Sequence, residues 1–291
     1  MWKKARGTLV PPQANHKVDG GGRPRQDVPG RNGDRKAMKE RKIRERAVRA
    51  LRAEAAPRRQ MARAKTMVFR QDWDNYRRIV RNNYLFHREA YATLRKVLEE
   101  EVQGPFRFLD IACGDASATV PALAGTAVTH HRGIDLSEPG LALAAKRLRK
   151  LNCPYELEAG DFTGALRRRD LAADVAWIGL SLHHLRRPAK RLLMRRARRV
   201  VGETGRLLVY ENASPGPESR AAWLRRWDAD RPRWRAFGDD EWESMSRHVH
   251  ARDYPEPHET WLALGSDAGF RRARCLYASP NELFRLYCFE A

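Results

Sequence analysis

From position 106 onward, short apolar runs alternate with stretches in which apolar residues recur every three or four positions, as strands interleaved with amphipathic helices would show. The runs at 106–111, 131–134, 155–159, 174–180 and 206–210 read as five strands, and 118–124, 138–150 and 189–201 as helices between them. Ser137 followed by Pro139 is a good helix start, because serine caps the free backbone N–H groups and proline fits the first turn. Two further strand candidates, 271–277 and 283–289, close the chain. Strands alternating with helices predict an α/β fold, a three-layer, doubly wound, mostly parallel seven-stranded sheet. Upstream, Trp73, Tyr76, Ile79, Tyr84, Leu94 and Leu98 fall at helical spacing and predict an N-terminal helical cap that ends at Gly104-Pro105. The expected divisions are a leader at 1–65, the cap at 66–104 and the main domain at 105–291, with a tryptophan-rich helical insert at 212–260.

Composition separates the leader from the rest. The 291 residues are 42% apolar, enough for one full core and appendages. The formal charge is +21, and residues 1–65 hold 20 Lys/Arg against 6 Asp/Glu, so two-thirds of the excess sits there. Rich in Gly, Pro and Arg, that leader buries little apolar surface and is expected to be disordered, with 35–56 as its one candidate for a basic amphipathic helix. Cysteines at 113, 153, 275 and 288 form no C-x-x-C pair and no cluster with histidines, so neither a disulfide framework nor a metal site is indicated, and a cytoplasmic location fits. No stretch approaches the ~20 apolar residues that span a bilayer.

Ligands of an open parallel sheet sit beyond the carboxyl ends of its strands, where the first strand-to-helix turn faces the crevice. Here that turn is Asp110-Ile111-Ala112-Cys113-Gly114-Asp115-Ala116-Ser117, whose small residues let backbone approach a ligand. Asp110, Asp135 and Asp161 close the first three strands and are expected to rim one crevice. Acids at 110 and 115 would repel a pyrophosphate and attract a ligand carrying ammonium and sulfonium groups. Asp135 is placed to accept two ribose hydroxyl protons, and Asp161 to accept from an adenine amino group with Phe162 beside the ring.

The segment 106–211 resembles the class I S-adenosylmethionine-dependent methyltransferases. Asp110 to Ala116 is similar to the family's acid-rich glycine motif, Gly133-Ile134-Asp135 to its second motif and Ala159-Gly160-Asp161-Phe162 to its third; Ala112 and Ala116 stand where glycine is usual. Leu180-Ser181-Leu182-His183-His184-Leu185 and Leu207-Leu208-Val209-Tyr210-Glu211 resemble the small-molecule branch. What the resemblance implies is a Rossmann-like methyltransferase fold, S-adenosylmethionine held by Asp110, Ala112, Gly114, Asp115, Asp135, Leu136, Asp161, Phe162 and Leu180, and in-line methyl transfer to a small acceptor through oxygen, nitrogen or carboxylate. An acceptor that loses a proton benefits from a base, and His183 and His184, after strand four, are the candidates. Tyr84, His87, Trp223, His248, His250 and Tyr254 are candidates for the acceptor pocket, and arginines among the insert's tryptophans would suit an anionic acceptor.

Two rivals remain from the residues alone. A nucleic-acid methyltransferase could use the basic leader as an anchor, although strand four ends in Gly179-Leu180-Ser181-Leu182 rather than the Asn/Asp-Pro-Pro-aromatic or Pro-Cys motifs of DNA enzymes. The third class is a cofactor-binding module without catalysis.

Overall fold

The structure, a computed structural model, describes residues 74–291; the expected leader, the segment 35–56 and the start of the cap lie outside the described residues. A helix over 74–81 (α1) and α2 (His87–Glu100) precede the sheet. There follow β1 (Phe106–Ile111), α3 (Thr119–Leu123), β2 (Val128–Asp135), α4 (Glu138–Leu148), β3 (Tyr155–Ala159), α5 (Phe162–Ala165), β4 (Val175–Gly179), α6 (Arg187–Val200) and β5 (Arg206–Ser214). The insert supplies α7 (Arg220–Ala229) and α8 (Asp239–Arg252), and the chain closes with β6 (Glu256–Pro257), α9 (His258–Asp267), β7 (Arg272–Ala278) and β8 (Phe284–Glu290).

The strands run β3-β2-β1-β4-β5-β8-β7, with the two-residue β6 beside the end of β5. The first five strands are parallel neighbours, as their helical crossovers require, whereas β8 is antiparallel to both β5 and β7. A tight turn dictates that reversal: the Ser279 hydroxyl accepts from the N–H groups of Leu283 and Phe284, so β7 turns directly into β8. Strand order reverses between β1 and β4, so the crevice of an open α/β sheet falls at their carboxyl ends.

Alternation along β4 divides the core. Val175 and Trp177 face one side with Leu94 and Leu98 of α2 and Trp223 and Trp227 of α7. Ala176 and Ile178 face the other with Leu193 and Met194 of α6 and Trp261 of α9. Gly265 lets α9 lie this close to β8, since a Cβ there would meet the Phe289 ring at 2.3 Å. The sequence reading of a doubly wound sheet holds, and its strand limits differ from those found mostly by one to four residues at the ends.

Candidate active site

The turn after β1 is built on carboxylate acceptance rather than on glycine alone. Asp135, closing β2, accepts the N–H of Gly114 on one oxygen and that of Ser137 on the other, each at 2.8 Å. It thereby ties the two strand-to-helix turns together and still has lone pairs for ligand hydroxyls. Ala112 (φ 58°), Gly114 (φ 53°) and Ala116 (φ 53°) lie in the left-handed region. Two alanines there each cost about 1–2 kcal/mol relative to glycine. Leu180, just past β4, is also left-handed (φ 49°) and lines the same space.

That space is a cavity of about 420 Å³ bounded by Ala112, Gly114, Asp135 and Leu180 on one wall and His183, His184, His248 and Asp253 on another. Tyr76, Tyr91, Trp227, Trp234, Tyr210 and Phe284 supply aromatic surface. No lysine or arginine is among the described residues that line it.

A buried carboxylate organises the histidine wall. Glu211 on β5 accepts from the N–H groups of Ser181, Leu182 and Asn212, and one of its oxygens lies 2.8 Å from His183 Nδ1. Burial alone would raise the Glu211 acid and lower the His183 base, but their mutual attraction and the bond between them win in both cases, so the carboxyl is held below and the imidazole above its ordinary range. Asp253 arrives from the far side. Its backbone is placed by the Tyr254 N–H, which donates to His183 O at 2.7 Å, and by Lys190, buried in α6, which reaches Tyr254 O and the Glu256 carboxylate. Arg187 pairs with Glu256 as well. Asn212 donates to Asp253 Oδ2 at 3.0 Å, and His184 Nδ1 lies 3.5 Å from Asp253 Oδ1. Burial opposes the Asp253 charge, yet His184, His183 and His248 together hold its pKa below the usual carboxylate range. His184 remains half-exposed, its ring edge-on to His183 and His248.

The other sequence candidates are dispersed. Asp110 is buried beneath the turn, 3.7 Å from His131, and Asp115 is turned toward α4, where Arg147 neutralises it at 2.6 Å. Of the acids expected to rim the crevice, Asp135 alone reaches the cavity wall at the turn. Asp161 caps α5 by accepting the Thr163 N–H at 2.9 Å, Phe162 packs against the core on the α6 side, and Leu136 stands exposed beside Asp135. Trp223 is core, donating to Leu283 O, and Tyr84 stacks on Trp234 with its hydroxyl accepting from Ala236 N–H. His250 pairs with Asp228, and Tyr254 lies under the Arg186 and Arg220 guanidinium groups. The insert's arginines brace structure instead of facing the cavity: Arg220 donates to Asp253 O and Arg226 pairs with Glu218. His87 does line the cavity. Glu211 ends the segment Leu207–Glu211 that resembles the family and Asp253 lies in no motif, and only the fold shows them as partners of His183 and His184.

Residues 108–205 match a family model described as a methyltransferase domain. Over 155 residues the chain is 27% identical to the demethylmenaquinone methyltransferase of Leptospira interrogans, a match that covers 51% of this chain and 58% of that protein, so it spans little more than half the length of this curated relative. In fold it is similar to a possible exported protein of Bordetella parapertussis (TM-score 0.50, 18% identity, 70% of this chain and 67% of that one). An O-methyltransferase family 2 protein of Planctomyces limnophilus aligns at TM-score 0.49 and 17% identity over 72% of this chain and 59% of its own. The match assigns residues 108–205 to a methyltransferase domain, and the strand order and the acid-terminated β2 accord with a Rossmann-like methyltransferase fold.

Two expected results follow from this geometry. Asp135→Ala removes an acceptor that shapes the turn and is free to take ribose hydroxyls; calorimetry with S-adenosylhomocysteine should show affinity reduced by about 1.5–3 kcal/mol, roughly 10- to 150-fold. Unchanged affinity would remove Asp135 from the site. His87, whose Nδ1 has no hydrogen-bond partner, is held neutral by burial, with Glu89 only partly opposing, and its pKa falls from 6.5 to about 4. The unfolded chain therefore takes the proton first, and the native state loses up to about 3 kcal/mol as pH falls from 6.5 toward 4. Urea titrations at pH 7 and pH 5 should show His87→Phe less acid-sensitive than wild type, and equal pH slopes would refute it.

Proposed function

We propose that the domain transfers a methyl group from S-adenosylmethionine to an oxygen, nitrogen or carboxylate of a small, mostly aromatic acceptor, in the cytoplasm, with His184 receiving the proton that the acceptor loses. The observation that carries the proposal is that one cavity holds both the Asp135–Gly114 cradle and the paired histidines with their carboxylates. Its volume falls within the ~300–1,000 Å³ of small-ligand sites. The residues suit the cofactor: Asp135 offers free lone pairs, the described wall bears carboxylates and no lysine or arginine, and the exposed Leu136 can cover a base. Bound there, S-adenosylmethionine supplies a methyl group on a positively charged sulfur.

The remaining work belongs to this chain. Aromatic walls exclude water and orient a flat acceptor, and positioning of this kind is worth up to about 7–11 kcal/mol. His184 Nδ1 faces Asp253 Oδ1 at 3.5 Å, which leaves Nε2 to accept a proton. Glu211 fixes His183 behind it. The name of the Leptospira relative, which points to a quinone-derived ring as its substrate, agrees with such an acceptor. The described residues that line this cavity include no lysine or arginine to meet a polyanion, which speaks against a nucleic-acid substrate. No helix among the described residues is long and apolar enough to cross a membrane.

The test is to incubate the full chain with methyl-labelled cofactor and, separately, a metabolite extract, a panel of phenols and hydroquinones, and total RNA. Label is expected in a small aromatic product. Label confined to RNA and lost with rising salt would overturn the proposal in favour of the leader-anchored rival, and absence of both label and cofactor binding would overturn it altogether.

A further inference from the structure

We propose that His183, His184 and Asp253 form a binding site for one first-row divalent transition cation, such as zinc, on the wall of the same cavity. Sequence spacing gave no hint of it, since Asp253 lies far along the chain and no cysteine takes part. His184 Nδ1 is 3.5 Å from Asp253 Oδ1 and His183 Nε2 is 3.9 Å from Asp253 Oδ2, and one donor atom from each residue fits within a span of 4.8 Å. Donors around a cation bound at about 2.0–2.2 Å stand roughly 3.4 Å apart, so small side-chain rotations close the set.

Three features go beyond proximity. Glu211 stands behind His183 and accepts a hydrogen bond from its Nδ1–H, which leaves the Nε2 lone pair facing the group; a carboxylate behind a ligating histidine is the usual support of such a donor. Asn212 holds Asp253 Oδ2, while Asp253 Oδ1 is buried and makes no hydrogen bond of normal geometry, an unsatisfied oxygen that a cation would satisfy. Finally, all three residues line the cavity, so the remaining coordination positions open toward water or an acceptor oxygen. Two imidazoles and one carboxylate favour zinc, cobalt, iron(II) or manganese over calcium and magnesium, which prefer oxygen donors throughout.

Cation binding does not depend on the methyl-transfer proposal, though both use His184. With Nδ1 on a cation, the ring proton sits on Nε2 and His184 cannot act as base, so the two uses exclude one another. Metal-stripped full-length protein should be titrated with Zn²⁺ by calorimetry and with Co²⁺ by visible absorption. One equivalent per chain is expected, with a Zn²⁺-dependent rise in Tm, and His184→Ala and Asp253→Asn should each weaken binding at least about 10-fold. His184 is half-exposed, so His184→Ala should melt near wild type without metal, and the Zn²⁺-dependent rise in Tm of Asp253→Asn is measured from its own metal-free value. No saturable binding, or binding of equal strength in both variants, would overturn the site. Methyl transfer by the chelator-treated protein is assayed separately and reports on the base proposal alone.

Discussion

His184→Ala is expected to lower kcat by about 10²–10⁴, some 3–5 kcal/mol of transition-state stabilisation, while the Kd for S-adenosylhomocysteine stays within about twofold. The asymmetry follows from placement. His184 follows β4 and is half-exposed in the cavity beside Asp253, and it makes no hydrogen bond to the turn that Asp135 holds. Its loss strips a proton acceptor from the acceptor side and leaves the cradle intact. Added imidazole should restore part of the rate, which loss of a merely structural side chain would not allow. Equal loss of cofactor affinity and rate, without rescue, would mean that His184 supports the fold and not the reaction.

Glu211→Ala is expected to lower the free energy of unfolding by about 3–5 kcal/mol, the usual result of removing one member of a buried, hydrogen-bonded charge pair. Glu211 is fully buried and serves Ser181, Leu182, His183 and Asn212 at once, so its removal leaves four donors without their acceptor. Glu211→Gln keeps the volume but sets an NH₂ among donors, and an intermediate loss is expected. The acid limb should change with it. Because the folded carboxyl is held below 4.5, its contribution is present above that value and is lost as pH falls through the lower, folded pKa. The variant should therefore be less sensitive to pH below about 4.5 in guanidinium titrations. A change under about 1 kcal/mol would show that the pair contributes nothing net.

The parts of the fold legible in the chain were those that depend on neighbours in sequence. Ser137 caps α4 through Gly140 N–H, Pro139 sits in its first turn, and β1 to β5 lie where the apolar runs fall. Asp135 could be read as a site residue because a strand end in a parallel sheet has one place to point. Asp110 and Asp161 looked equivalent on the same rule, but local geometry decided otherwise: Asp110 is buried beside His131, and the start of α5 claimed Asp161, while Arg147 from the helix across the turn claimed Asp115. Of the insert's tryptophans, Trp223, Trp227 and Trp234 all joined the core, and Trp227 and Trp234 line the cavity as well.

The amino-acid sequence by itself determined the alternation of strands and helices, the turn after β1 and the presence of two histidines after β4, because each follows from periodicity and the chemistry of adjacent residues. Only the tertiary structure decided that Glu211, 28 positions from His183, and Asp253 would flank those histidines. That meeting depends on β5 lying beside β4 and on Lys190 and Glu256 drawing the chain after α8 against the turn, and contacts between segments so far apart are set by packing, which no local spacing encodes.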